Sequence, residues 1–459
     1  MGRRRQRQPD VLFGLNYPKG ESSRLKVGLA LLTASAMIIA ALITGRYLPD
    51  WVGNAWDRIV GDRPAPSGKS GNKSARTDPG TQVPITVGHR GALSSHSSAV
   101  GQGGQQLSDV AAGGGRFVAV GWTGTTSGSD GAVWTSNKDG TDLAPAADPT
   151  DAFRHRPGNQ KLYGVVASTG EVVAVGSDGP AAAAWTSKDG QEWAPMPSEA
   201  GALREGGAQS MRAVTRHGPM LVAVGARGPD QGREAAGWYW STDGVWRRAT
   251  VRSGAAKPST DAVMRDVAWV KDKLVAVGST RIGRQAGYDA AVWTSADGRT
   301  WTQLPPVDID ERCAGGCSGD QAMHGVAMAE RSAVAVGLAG APDCGWHAAV
   351  WRSVDDGKTW QRMLEAKALN GKGKQMNAVA PTGDGGFIAV GSQGCQGQQR
   401  AAAWLSPDGI DWQPVEVGSR AGYERMAGTA LSPQRGVVVG SRGDELAATS
   451  GLTWRVAVG

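Results

Sequence analysis

The stretch Leu274-Val-Ala-Val-Gly278, followed by Ala291-Val-Trp-Thr-Ser295 and Asp297-Gly298-Arg-Thr-Trp301, decides the fold. A short apolar strand ends in Val-Gly, a second strand carries Trp, and an Asp-Gly turn leads into another Trp. The same unit recurs along the chain, with Val-Gly-type strands ending at Gly121, Gly176, Gly225, Gly278, Gly337, Gly391 and Gly440. The spacings are 55, 49, 53, 59, 54 and 49 residues. A period near fifty residues marks a repeat architecture.

Each unit contains four short strands. The first opens with Leu107, Leu162, Met211, Met264, Met323, Met376 or Met426, and the second ends at the glycine. The third is expected at Trp134, Trp185, Trp240, Trp293, Trp351 and Trp404, and in the last unit at Ala447–Ser450. The fourth is expected at Trp193, Trp246, Trp301, Trp360, Trp412 and Trp454, with Leu143 in the first unit. One small antiparallel sheet cannot bury both faces. Radial stacking around an axis does so and leaves only short edges, which is the β-propeller solution. Continuous apolar strands suit sheets covered on both sides. A linear solenoid needs polar caps, and the last unit runs uncapped into Val456-Ala-Val-Gly459. The expected fold is all-β: a seven-bladed propeller over residues 107–459.

The turn between strands three and four resembles the Asp-box, S-x-D-x-G-x-x-W, of BNR or sialidase-like repeat families. Ser353-Val-Asp355-Asp-Gly357-Lys-Thr-Trp360 matches it fully. The boxes of Asp189, Asp297 and Asp408 are one residue shorter, and that of Asp243 is shorter again. The first unit is irregular at Asp139-Gly140, and the last keeps Ser450 and Trp454 without an Asp. The physical reading of these aspartates is structural. Asp and Ser hold the turn through backbone N–H groups, and Gly takes a positive φ without steric cost. The tryptophans are expected as core between blades.

The N-terminus sets the address. Residues 27–45 are uncharged and mostly apolar, and nineteen helical residues span roughly 28 Å, about a bilayer core. Residues 1–26 carry seven basic and two acidic groups. The positive-inside rule then leaves this segment cytoplasmic and the propeller outside. A cleaved signal peptide is the rival reading, although no small-x-small cleavage site follows. Tyr47, Trp51 and Trp56 suit the membrane interface. Residues 46–106 form a membrane-proximal segment and a tether rich in Gly, Ser and Pro. Within it, Gln82–Val87 is apolar enough to add an outer strand to the last blade. The net charge of +7 comes from residues 1–80, so the propeller is neutral and nucleic acid is not an expected partner. The composition, rich in Ala, Gly and Arg, resembles that of proteins from high-GC actinobacteria.

The four cysteines, Cys313, Cys317, Cys344 and Cys395, all fall in the propeller. In an up-and-down blade their loops share one rim, which suits two disulfides outside the cytoplasm. Of the three pairings, Cys313–Cys317 with Cys344–Cys395 is the first choice, and a zinc site is the alternative. Asp308, Asp310, Glu311 and Asp320 lie nearby, as a solvated loop or a Ca²⁺ site. No cofactor or resident metal is expected.

The candidate ligand-binding residues are one polar position per inner strand. That series runs Ser108, Tyr163, Arg212, Arg265, His324, Asn377 and Ala427. At the mouth of a central channel it could hold a carboxylate or phosphate, or merely join neighbouring blades. The family resemblance implies a sialidase site of three arginines, an Asp, and a Tyr activated by a Glu. Its Phe/Tyr-Arg-Ile-Pro segment is missing here, and Tyr163 has no evident Glu partner. Asp109 and Asp266 are the channel carboxylates, three blades apart, whereas glycoside hydrolysis needs two within about 5–10 Å. No catalytic residue is therefore assigned. The expected role is binding a protein or a cell-envelope glycan, with a sialidase-like hydrolase or lyase acting on extracellular carbohydrate as the alternative.

Overall fold

The computed structural model describes residues 86–92, 104–125, 128–137, 140–146, 152–153, 160–254, 259–282, 287–305, 320–330, 332–341, 345–363, 369–395, 398–419, 423–443 and 450–457. The expected membrane helix and its basic flank, Cys313, Cys317, Cys344, Asp308, Asp310 and Glu311 lie outside these residues. No helix among the described residues is long and apolar enough to cross a membrane.

The described strands form seven sheets, six of four antiparallel strands and one of five, whose additional outer strand, Thr250–Arg252, pairs parallel with Thr300–Gln303. In the second blade the order from the axis outward is Gln160–Ser168, Glu171–Asp178, Ala181–Ser187 and Ala194–Pro195. Each inner strand lies against the inner strands of both neighbours, and Gly104–Gly113 of the first blade meets Glu424–Ser432 of the last. Seven hydrophobic clusters fill the seven junctions between blades. The cluster of Leu107, Val110 and Phe117 with Ala430, Val437 and Val439 closes the ring. That closure rules out a linear solenoid.

The last blade is completed by a strand distant in sequence. Thr86–Ala92 pairs antiparallel with Ser450–Ala457, from Thr86 opposite Ala457 to Ala92 opposite Leu452. An outer strand from this segment was expected; its described part runs from Thr86 past Val87 to Ala92, and residues 82–85 lie outside the described residues. The pairing corrects the last unit. Trp454 lies opposite Val438, as Trp293 lies opposite Ala276 in the fourth blade. It therefore belongs to strand three, and residues 86–92 supply strand four. A similar shift occurs in the third blade, where Trp238, not Trp240, lies opposite Ala223. Trp238 is fully buried, while Trp240 is only partly buried and meets Trp246 edge-on.

The Asp-box aspartates do what their residue types require. Asp408 Oδ1 accepts the amides of Ile410 at 2.8 Å and Asp411 at 3.0 Å. Asp189 and Asp297 accept the equivalent pairs, and Asp355 accepts Lys358 and Thr359. In the shortest box Asp243 instead takes Arg247 at 3.1 Å. Box serines donate to these carboxylates and accept the glycine amide, as Ser406 does from Gly409 at 2.8 Å. Burial opposes ionisation of Asp355, but the bonds from Thr359, Ser353 and Lys358 hold its carboxyl down at about 2. The box Trp side chains are buried, and four of them donate to their own box glycine, as Trp193 does to the Gly190 carbonyl at 3.0 Å. Their N–H groups are thus satisfied inside the box and do not reach solvent. A Cβ on Gly298 would lie 2.4 Å from Val222 of the preceding blade, so the box also seats one blade on the next.

Candidate functional site: the mouth of the central channel

Every inner strand carries an irregularity in register at the same place. The shifts fall between Leu107 and Asp109, Leu162 and Gly164, Met211 and Ala213, Met264 and Asp266, Met323 and Gly325, Met376 and Ala378, and Met426 and Gly428. The residues skipped are Ser108, Tyr163, Arg212, Arg265, His324, Asn377 and Ala427. The candidate series read from sequence is thus the extra residue of a β-bulge repeated in every blade. A bulge frees one residue from the ladder and re-aims its side chain.

The bulge also explains the Val-Gly strand. It pushes the preceding carbonyl across the adjacent strand, leaving no room for a side chain there. A Cβ on Gly278 would lie 1.9 Å from the Val263 carbonyl oxygen, and one on Gly440 2.0 Å from that of Arg425.

Several bulge side chains join neighbouring blades. Ser108 donates to the Leu162 carbonyl at 2.8 Å, and Asn377 to that of Met426 at 2.7 Å. His324 Nδ1 lies 3.0 Å from the Met376 carbonyl. Burial, with Arg265 and Arg425 nearby, lowers the His324 pKa to about 3, so the ring is neutral. Because a carbonyl only accepts, Nδ1 carries the proton and Nε2 keeps its lone pair. The guanidinium of Arg212 lies over the Tyr163 ring, 4.2 Å from its centroid.

The next residue along is acidic in two blades. Asp109 accepts the amides of Val110 at 2.8 Å and Val165 at 3.0 Å, the latter from the second blade. Asp266 accepts Val267 and Val326 at 2.8 Å each, the latter from the fifth. Both side chains keep some contact with solvent along the channel but are enclosed by protein. Burial pushes Asp109 up to about 7, assisted by the charge of Asp266. Burial likewise pushes Asp266 to about 6. Both oxygens of each acid are occupied by main-chain amides, so these carboxyls tie blades together.

The mouth holds residues that sequence reasoning passed over. Trp122 follows Gly121 and meets Tyr163 edge-on, with ring centroids 5.8 Å apart. Lys161 Nζ lies 5.0 Å from the Trp122 ring centroid. Arg425, one position before Met426, is close enough to lower the His324 pKa. The available signal was variation at a fixed repeat position: the residue after each glycine is Trp122, Ser177, Ala226, Ser279, Leu338, Ser392 and Ser441.

Away from the mouth, Asp320 accepts the Tyr288 amide at 2.9 Å. No group of three potential metal ligands occurs among the described residues. Cys395 is disulfide-bonded, and the other three cysteines fall outside the described residues.

No family model matches the chain, and no curated protein does so either. Several solved structures are similar to it at low identity. The polysaccharide lyase Uly1 is 8% identical with a TM-score of 0.50, over 80% of this chain and 92% of that one. A protein of unknown function from Dyadobacter fermentans is 14% identical with a TM-score of 0.44, over 82% and 98% of the two chains. Trypanosoma rangeli sialidase is 12% identical with a TM-score of 0.41, over 77% of this chain and 54% of that one. The match thus spans about half the sialidase's length. At 8% identity the likeness to Uly1 is one of fold alone; the seven blades are read from this chain's own sheets.

Proposed function

We propose that the chain is a membrane-anchored, extracytoplasmic binding module, and that the channel mouth binds anionic groups of a cell-envelope glycan. One observation carries this reading. Several arginines elsewhere on the propeller are matched by acids, as in Arg216–Glu171, Arg227–Glu234, Arg233–Asp261 and Arg442–Glu424. At the mouth, Lys161, Arg212 and Arg425 have no ion-pair partner among the described residues. The acids there, Asp109 and Asp266, hold their protons unusually tightly. Uncompensated arginines in a concave, partly desolvated site favour a carboxylate or phosphate through forked hydrogen bonds. The apolar segment 27–45 and its basic flank support the membrane address.

The test is capture of envelope glycan by the full chain, compared with Arg212→Ala and Arg265→Ala. Binding should fall about tenfold or more in each, as loss of a charge-assisted contact implies. Unchanged binding in both variants removes the mouth from the function. Glycoside turnover that disappears in Asp266→Ala would replace binding by catalysis.

A further inference from the structure

The first blade breaks the repeat where the mouth is formed. Six blades place Ser, Ala or Leu after the strand-two glycine, and the first places Trp122. Trp122 is only partly buried, whereas the strand-three tryptophans Trp134, Trp293, Trp351 and Trp404 are buried to 1% exposure or less. Neither Trp122 nor Tyr163 belongs to the hydrophobic clusters that join the first blade to its neighbours. Packing of the blades therefore does not account for this pair.

What surrounds the pair is cationic. Lys161 stands 5.0 Å from the Trp122 centroid, Tyr163 meets Trp122 at an interplanar angle of 68°, and Arg212 covers Tyr163 at 4.2 Å. Three blades thus contribute one continuous ladder, Lys161–Trp122–Tyr163–Arg212. Arg212 Nε is buried and has no hydrogen-bond partner, an uncompensated donor of the kind that costs stability unless a ligand completes it.

We propose that this ladder is a subsite for an acidic sugar residue of the uronate class. It rests on the reading of the mouth as a glycan-binding site and names the sugar it selects. The apolar C–H face of a pyranose ring suits an aromatic wall, and its carboxylate suits a flanking guanidinium or ammonium. A neutral sugar gains only the first contact, and a small inorganic anion only the second. Both together select a ring that carries its own charge.

The full chain is titrated calorimetrically with a short oligogalacturonate and with a neutral oligoglucoside of equal length. The acidic oligomer should bind at least about tenfold more tightly, with affinity falling as salt rises. Trp122→Ala should weaken it about tenfold without lowering the melting temperature, and Trp122→Phe should restore most of the loss. Lys161→Gln should reduce both affinity and salt dependence. Equal binding of the two oligomers, no binding of the acidic one, or an unaffected Trp122→Ala overturns the subsite. If Arg265→Ala still abolishes capture of envelope glycan in those cases, the binding role of the mouth stands and only the ladder fails. If Arg212→Ala and Arg265→Ala are both silent, the mouth reading fails as well.

Discussion

Asp266 accepts the amide proton of Val326, in the next blade, at 2.8 Å, and Asp109 makes the same link to Val165. Burial raises these carboxyls from 3.8 to about 6 and about 7. A group with a raised folded pKa binds its proton more tightly when folded. Its contribution to stability is complete below the unfolded value and is lost as pH rises through the folded one. The melting temperature should therefore carry a component that declines between pH 4 and pH 7–8. Tenfold tighter proton binding in the folded state is worth about 1.4 kcal/mol. Asp109→Asn should flatten that decline. Parallel melting profiles for wild type and variant would show that Asp109 does not titrate in this range. Protonation of the pair also makes the mouth more positive, so anion affinity should rise as pH falls from 8 to 6.

Gly278 and Gly218 separate two uses of glycine. A Cβ at Gly278 would sit 1.9 Å from the Val263 carbonyl, whereas Gly218 has a φ of +57° and nothing within 4 Å of its would-be Cβ. Gly218→Ala meets only the left-handed backbone cost of about 1–2 kcal/mol. Gly278→Ala must displace a carbonyl held by the bulge and should cost more than about 3 kcal/mol. Denaturant melts of the two variants decide the matter; equal losses would mean that the inner strand can relax around the added methyl.

The blade count and the box chemistry were legible in the sequence because both are local. A fifty-residue period and a Ser-x-Asp turn need no knowledge of distant partners. The errors arose where strand register depends on a partner. Trp240 looked equivalent to Trp293 by sequence pattern, yet the ladder places Trp238 opposite Ala223. Trp454 looked like a box tryptophan, but the last blade has no box and takes its outer strand from residues 86–92. The channel series was visible as variation at one position, while the bulge that produces it was not. Trp122 was hidden because it follows the repeat's most regular feature and reads as part of that strand.

The closing strand leads to a sharp expectation for truncation. A domain beginning at residue 81 keeps Thr86–Ala92 and with it the full last blade. One beginning at residue 93 leaves Ser450–Ala457 as an unpaired edge, which invites association. The shorter domain should melt several degrees lower and elute partly as oligomer in size-exclusion chromatography, while the longer one should behave like the full propeller. A synthetic peptide of residues 86–92 should recover part of the lost stability, since it binds only the folded blade. Identical melting of the two domains would show that the strand is dispensable.

Lys271 and Asp356 form an ion pair at 2.6 Å between neighbouring blades, and both have left-handed backbones, with φ of 56° and 62°. Asp356 is the additional residue that makes the fifth blade's box the full-length one. The box therefore accommodates its extra residue by a conformation that L-residues disfavour by about 1–2 kcal/mol. The pair offsets little of this, because its side chains are 55% and 33% exposed and exposed pairs contribute about 0–1 kcal/mol. Asp356→Gly relieves the strain but adds freedom to the unfolded chain. The net change should be a gain of up to about 1 kcal/mol. Asp356→Asn, which tolerates the same backbone but carries no charge, should change stability by less than about 1 kcal/mol. Chemical denaturation of both variants gives the answer. A clear loss in both would make the ion pair, rather than the backbone, the dominant contribution at this junction.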